Sequence, residues 1–202
     1  MITNGGGRSM GRLFRTAAAL AVAAAALAGC SEAEPANATL PTATAEPAPT
    51  TEALPPLGPA DFPMPPEARE KTPEGAVEFT RYYVRLIEYV GDGSLDPQPL
   101  IDLSSNCEVC LMIADSYSED RAAGYTYDDV TVSFEEYGPG LINGDTAEVG
   151  FVYTQNAITV LDSAGEVMTQ RSSDATGDLQ SGALLQWRPE QASWVTTSLT
   201  IG

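Results

Sequence analysis

The chain has 202 residues, with 28 acidic side chains against 10 Lys and Arg, a net charge of −18 and no histidine. An acidic surface of this kind repels phosphate backbones, which excludes nucleic-acid binding. Without histidine, neither a Ser-His-Asp or Cys-His nucleophile system nor a His-containing zinc site can be assembled.

Arg8, Arg12 and Arg15 precede an Ala-rich apolar run over 16–28, a pattern that reads as an export signal. The run is shorter than the ~20 apolar residues of a transmembrane helix. It ends in Leu27-Ala28-Gly29-Cys30, which resembles the bacterial lipobox. The resemblance implies cleavage before Cys30, so that 1–29 is a signal peptide, and attachment of a diacylglyceryl group to the Cys30 thiol. The protein is then expected at the extracytoplasmic face of the cell membrane, with the membrane as its partner through that lipid anchor. No acid lies in 1–29, so the remainder holds 7 cations against 28 acids, a charge of −21.

Residues 30–66 are rich in Pro, Ala, Thr and Glu. That composition buries little apolar surface, and it predicts a disordered tether with polyproline II character. Its end, Pro63-Met64-Pro65-Pro66, reads as a stiff lead-in packed on its own domain. Residues 67–202 are long enough for one domain with a real core.

Thr72 as N-cap, Pro73 at the first helical position and Glu74 in the first turn predict a helix over 73–90. Ala76, Phe79, Tyr83, Leu86 and Val90 recur at helical spacing, and Gly91 and Gly93 stop the helix. A short helix around Leu100 to Leu103 follows, then a third, from the Cys107-Glu108-Val109-Cys110 stretch to Gly124. A metal at Cys107 and Cys110 would need two more soft ligands, and none exists. A local structural disulfide is the expected state of the pair, with a redox couple as the alternative. No metal and no cofactor are expected.

From Tyr125 the period becomes alternating. Val130, Val132 and Phe134 share one strand face, and Asn143-Gly144-Asp145 marks a turn. Ala147, Val149, Phe151 and Tyr153 alternate, and Ile158, Val160 and Leu161 continue or follow that strand. Residues 171–182 read as a loop or weak edge strand, and 183–187 with 194–201 as a closing hairpin. Helices first and an antiparallel meander after them define an α+β fold, N-terminal helices packed on a curved antiparallel sheet.

This element order resembles the nuclear-transport-factor-2-like, or cystatin-like, cone. The run Pro65-Pro66-Glu67-Ala68-Arg69, Lys71-Thr72, Gly75-Ala76, Phe79-Thr80 and Tyr82-Tyr83, with Cys107, Cys110 and Ala123-Gly124-Tyr125, resembles actinobacterial lipoproteins with a C-terminal domain of unknown function. Such a cone implies a pocket, for which Phe79, Tyr82, Tyr83, Phe151, Tyr153 and Trp187 are the candidate lining. No catalytic residue is assigned. Asp115 with the tyrosines offers only a generic acid-base pair, and Asp92-Gly93-Ser94-Leu95-Asp96 lacks the ligand ladder of a calcium loop. The chain is therefore expected to be a non-enzymatic envelope module binding a partner protein or a small apolar ligand. The alternative is a small isomerase- or cyclase-like acid-base enzyme working in the cone.

Overall fold

The computed structural model of the chain describes residues 54–202. The signal segment, Cys30 and the first part of the tether lie outside the described residues. A 3-10 turn, Pro66–Arg69, precedes three helices, α1 (Pro73–Asp92), α2 (Gln98–Asp102) and α3 (Glu108–Ala123). Seven strands follow: β1 (Thr126–Asp128), β2 (Val132–Glu136), β3 (Leu141–Asn143), β4 (Thr146–Gln155), β5 (Thr159–Leu161), β6 (Leu179–Arg188) and β7 (Ser193–Thr200). The main sheet runs β2-β4-β6-β7, all antiparallel, and β3 also pairs with β4. β1 and β5 form a separate antiparallel pair. The mixed helix and antiparallel-sheet arrangement is the expected one.

Local chemistry sets the helix ends. The Thr72 hydroxyl accepts the Gly75 amide at 2.9 Å, and Pro73 needs no donor in the first turn. Gly75 is required by close approach, since a Cβ there would run into the Glu70 carbonyl. α1 continues to Asp92, one half-turn past the expected end, with Gly91 buried inside it. There a Cβ would meet the Tyr117 hydroxyl at 2.8 Å, so this glycine admits a neighbouring side chain instead of ending the helix. At the start of α3 the Cys107 sulfur accepts the Cys110 amide at 3.2 Å. At its end Gly124, with φ +73°, takes the left-handed cap.

Alternation along β4 turns Ala147, Val149, Phe151 and Tyr153 toward the helices and exposes Thr146 and Glu148. α1 packs across β2 and β4. Its stripe of Ala76, Phe79, Tyr83, Leu86 and Val90 joins Phe151, Leu185 and Trp194 in one buried cluster. The open edge of β7 is covered by the segment after α2. Thr196 donates its amide to the Leu103 carbonyl at 2.9 Å, and Ser105 donates to the Thr196 carbonyl at 2.8 Å.

The boundary expected at residue 66 lies earlier. Met64 is buried, and its amide donates to the Leu57 carbonyl at 2.8 Å. The Phe62 ring stacks on Tyr82 at 5.4 Å and on Tyr89 at 4.8 Å. The Arg69 guanidinium donates to the Pro55 carbonyl at 2.7 Å. Leu57, Phe62 and Met64 are three large apolar groups spaced among prolines whose fixed φ already holds the backbone extended, so seating them orders little chain. Averaged over the proline-rich stretch, their signal is lost. The strands differ in detail as well. β1 and β3 are additional to the expected strands, Val130 lies outside β2, and β6, which lies between β4 and β7, begins at Leu179 within the stretch expected to be a loop or weak edge strand.

The strap formed by residues 55–65 should respond to its one aromatic. Phe62→Ala removes both stacking contacts and should destabilise the domain by roughly 2–4 kcal/mol, given that the ring is only half-buried. It should also make the strap the first site of limited proteolysis; urea melts and mass mapping of the fragments check both.

Candidate functional site

Of the six aromatic residues expected to line a pocket, five are buried in the core and Trp187 packs at its edge. Phe79, Tyr83 and Phe151 are buried almost completely, Tyr82 and Tyr153 nearly so, and Trp187 is half-buried. Phe79 stacks on Tyr83 at 6.4 Å, Phe151 on Phe134 at 4.7 Å, and Trp187 meets Trp194 edge-on at 5.1 Å. Each tyrosine hydroxyl finds an internal acceptor. Tyr82 donates to the Phe62 carbonyl at 2.8 Å, Tyr83 to the Leu100 carbonyl at 3.2 Å, and Tyr153 to Gln155 Oε1 at 2.8 Å. A phenol with its hydroxyl satisfied is a good core residue, which is why the tyrosines go inward with the phenylalanines. Burial pushes the Tyr82, Tyr83 and Tyr153 hydroxyls up to about 12, so they stay neutral near pH 7.

The Cys107 and Cys110 sulfurs lie at bonding distance, 2.01 Å, and both residues are buried. Their burial suits a structural bridge at the start of α3 and keeps it from thiol exchange. Asp115 is exposed on α3. In the stretch resembling a calcium loop, Leu95 turns inward, and Asp96 accepts the Gln98 amide at 3.3 Å and lies 3.4 Å from Arg121. Among the described residues no group of three potential metal ligands is brought together.

Two further acids stand out, Asp120 in the interior and Glu88 at its edge. Asp120, on the inward stripe of α3 with Cys110, Ala114 and Tyr117, is almost fully buried. One of its oxygens accepts the Tyr127 hydroxyl and the other pairs with the Arg171 guanidinium at 2.5 Å. Arg171 also reaches the Ser116 hydroxyl at 3.2 Å, and Tyr127 meets Tyr117 edge-on at 5.7 Å. This cluster ties the end of α3 to β1 and to the loop after β5. With both oxygens engaged, Asp120 works as a clamp rather than as a base. Its helical spacing from Tyr117 was the available signal.

Glu88, on α1, is the second. Its Oε2 is buried and has no hydrogen-bond partner. Loss of solvent raises its carboxyl above the ordinary value, opposed by Arg85 and the Val132 backbone and assisted by Asp92. It is close enough to Tyr153 to raise that hydroxyl further. Glu88 does not line the hollows described below.

Those hollows lie on the outer surface. One of about 480 Å³ lies between the strap and α2, with Leu57, Asp96, Asp102 and Gln191 in its wall. Another, about 400 Å³, lies on the sheet face beside Leu141 and Leu184. A third, about 540 Å³, lies along the outward side of α3, with Leu111, Met112 and Arg171.

No protein-family model matches the chain, and no curated protein matches it significantly. Among solved structures, the intermembrane-space region of the chloroplast protein ARC6 is similar at 12% identity and a TM-score of 0.48, over 65% of this chain and 97% of that one. A nuclear transport factor 2 (NTF2-like) superfamily protein from Salmonella enterica serovar Typhimurium is similar at 12% identity and a TM-score of 0.40, over 63% of this chain and 90% of that one.

Both acids lead to measurable outcomes. Asp120→Asn leaves Arg171 without its charge partner and should cost roughly 1–3 kcal/mol in urea unfolding, part of the pair being solvent-screened. A carboxyl whose folded-state pKa is raised contributes stability below its unfolded value, and that stability is lost as pH rises through the folded value. Glu88→Gln should therefore raise the urea midpoint at pH 7 relative to the parent, with the difference shrinking toward pH 4.

Proposed function

We propose that the chain is a lipid-anchored, extracytoplasmic binding module, built on a nuclear-transport-factor-2-like cone, that engages an envelope partner through its outer surface. The observation that carries this reading is the filled interior. Phe79, Tyr83, Phe151 and Trp194 occupy the space where an enclosed ligand would sit, and close-packed side chains leave no room without displacement. The Leu27-Ala28-Gly29-Cys30 stretch and the acidic, proline-rich segment after it support attachment through Cys30. A small apolar ligand in the cone, or acid-base catalysis there by Glu88, would require repacking of that cluster.

Expression of the full chain in an actinobacterial host tests both parts. The parent should partition with membranes and take up labelled fatty acid, and Cys30→Ser should release it and abolish labelling. Native mass spectrometry of the released form should give the bare polypeptide mass. Labelling that persists in Cys30→Ser overturns the anchor. A stoichiometric adduct of a few hundred daltons, lost on Phe151→Trp, overturns the filled-cone reading.

A further inference from the structure

We infer that the outward side of α3 is the docking surface of this module, and that it takes a cationic amphipathic segment of a partner protein. The inference rests on the binding-module reading above and adds the place and the chemistry of the partner.

A surface helix normally turns one apolar stripe inward and keeps the other side polar. α1 does so, and α3 does not. Cys110, Ala114 and Tyr117 face the core, yet Met112 stands on the opposite side and Leu111 on the flank, 62% and 45% exposed, in the hollow of about 540 Å³. An exposed methionine beside a leucine supplies an adaptable apolar contact, because the thioether chain can repack against different partners. Glu108, Asp115 and Glu119 line the same hollow, and at helical spacing they fall on the same side as Met112. The one cation in the wall, Arg171, is already held by Asp120 at 2.5 Å and lies 3.9 Å from Glu119. Exposed apolar side chains bordered by carboxylates, a rim that follows the helix axis, are complementary to a segment with an apolar stripe beside lysines or arginines. The same rim disfavours an anionic lipid surface.

The helix is also held in place at both ends. The buried Cys107 and Cys110 bridge sits at its start, and the Asp120 clamp to Tyr127 and Arg171 sits at its end. A rigid platform loses little freedom when a partner docks.

The test uses the full mature chain in detergent micelles and a fluorescent helical peptide of about 18 residues, long enough to hold a helix, with leucines on one side and lysines on the other. Its counterpart with glutamates replacing the lysines is the control. Fluorescence anisotropy should show binding of the lysine peptide alone. Neutralising the rim with Glu108→Gln, Asp115→Asn and Glu119→Gln should weaken it roughly tenfold. The triple Glu67→Gln, Glu135→Gln and Glu148→Gln, an equal change of charge at exposed sites elsewhere, should weaken it less than about twofold. Met112→Ser should weaken it by roughly threefold or more. A benzophenone side chain at position 112 should cross-link the peptide, and one at position 184 on the sheet face should not.

Equal weakening by the two triples overturns the proposal, as it would show attraction to the overall charge only. So does an unchanged affinity for Met112→Ser, or binding of anionic vesicles through α3 in place of the peptide. Cross-linking through position 184 alone removes this surface and leaves the binding-module reading intact. A cone ligand in the mass spectrum removes that reading and leaves the peptide result to judge α3 by itself.

Discussion

The contact between the aromatic stripe of α1 and the inward face of the main sheet is what the rest of this molecule depends on. Phe79, Tyr83 and Leu86 on one side, and Phe151, Leu185 and Trp194 on the other, are the largest fully buried groups of the core. Burying side chains of this size contributes roughly 1.5–3 kcal/mol each before entropy is counted. No helix or sheet of this length holds its shape in water without such a partner. The pairing of β6 with β7 shifts register between Leu184 and Leu185.

The same contact decides what the interior can do. The space between a helix and a sheet becomes a binding cavity when the residues on its walls are small or when the helix stands away from the sheet. Here both walls carry aromatic rings, and the tyrosine hydroxyls among them are satisfied by backbone or amide oxygens. The polar chemistry moves to the margins. Asp120 is spent on holding α3 against β1 and Arg171, while half-buried Glu88 keeps one oxygen without a partner. What faces solvent is an acidic surface interrupted by apolar groups on α3 and on the sheet.

The lead-in strap has a structural part of its own. Phe62 between Tyr82 and Tyr89, Met64 under Ser193 and the Arg69 bonds to Pro55 and Gln191 fasten the first described residues to both α1 and β7. Tyr82 and Tyr89 thus seat Phe62, a part distinct from the pocket lining expected of Tyr82.

Much was legible in the order of residues alone. Thr72-Pro73-Glu74 announces α1, Gly124 closes α3, the alternation from Ala147 to Tyr153 defines β4, and the cysteine spacing brings two sulfurs to one helical turn. These features depend on nearest neighbours in the chain, so local rules suffice for them. The absence of histidine likewise limits the chemistry whatever the fold. The sequence could not decide whether six aromatic residues would line a space or fill it, because that depends on the distance between two elements some seventy residues apart. It could not single out Asp120 among 28 acids either, since only the approach of Tyr127 and Arg171 makes that carboxylate buried and paired. The start of the domain was hidden for a related reason. Leu57, Phe62 and Met64 become core residues only when α1 and β7 are present to receive them, and burial is a property of the assembled layers rather than of the segment.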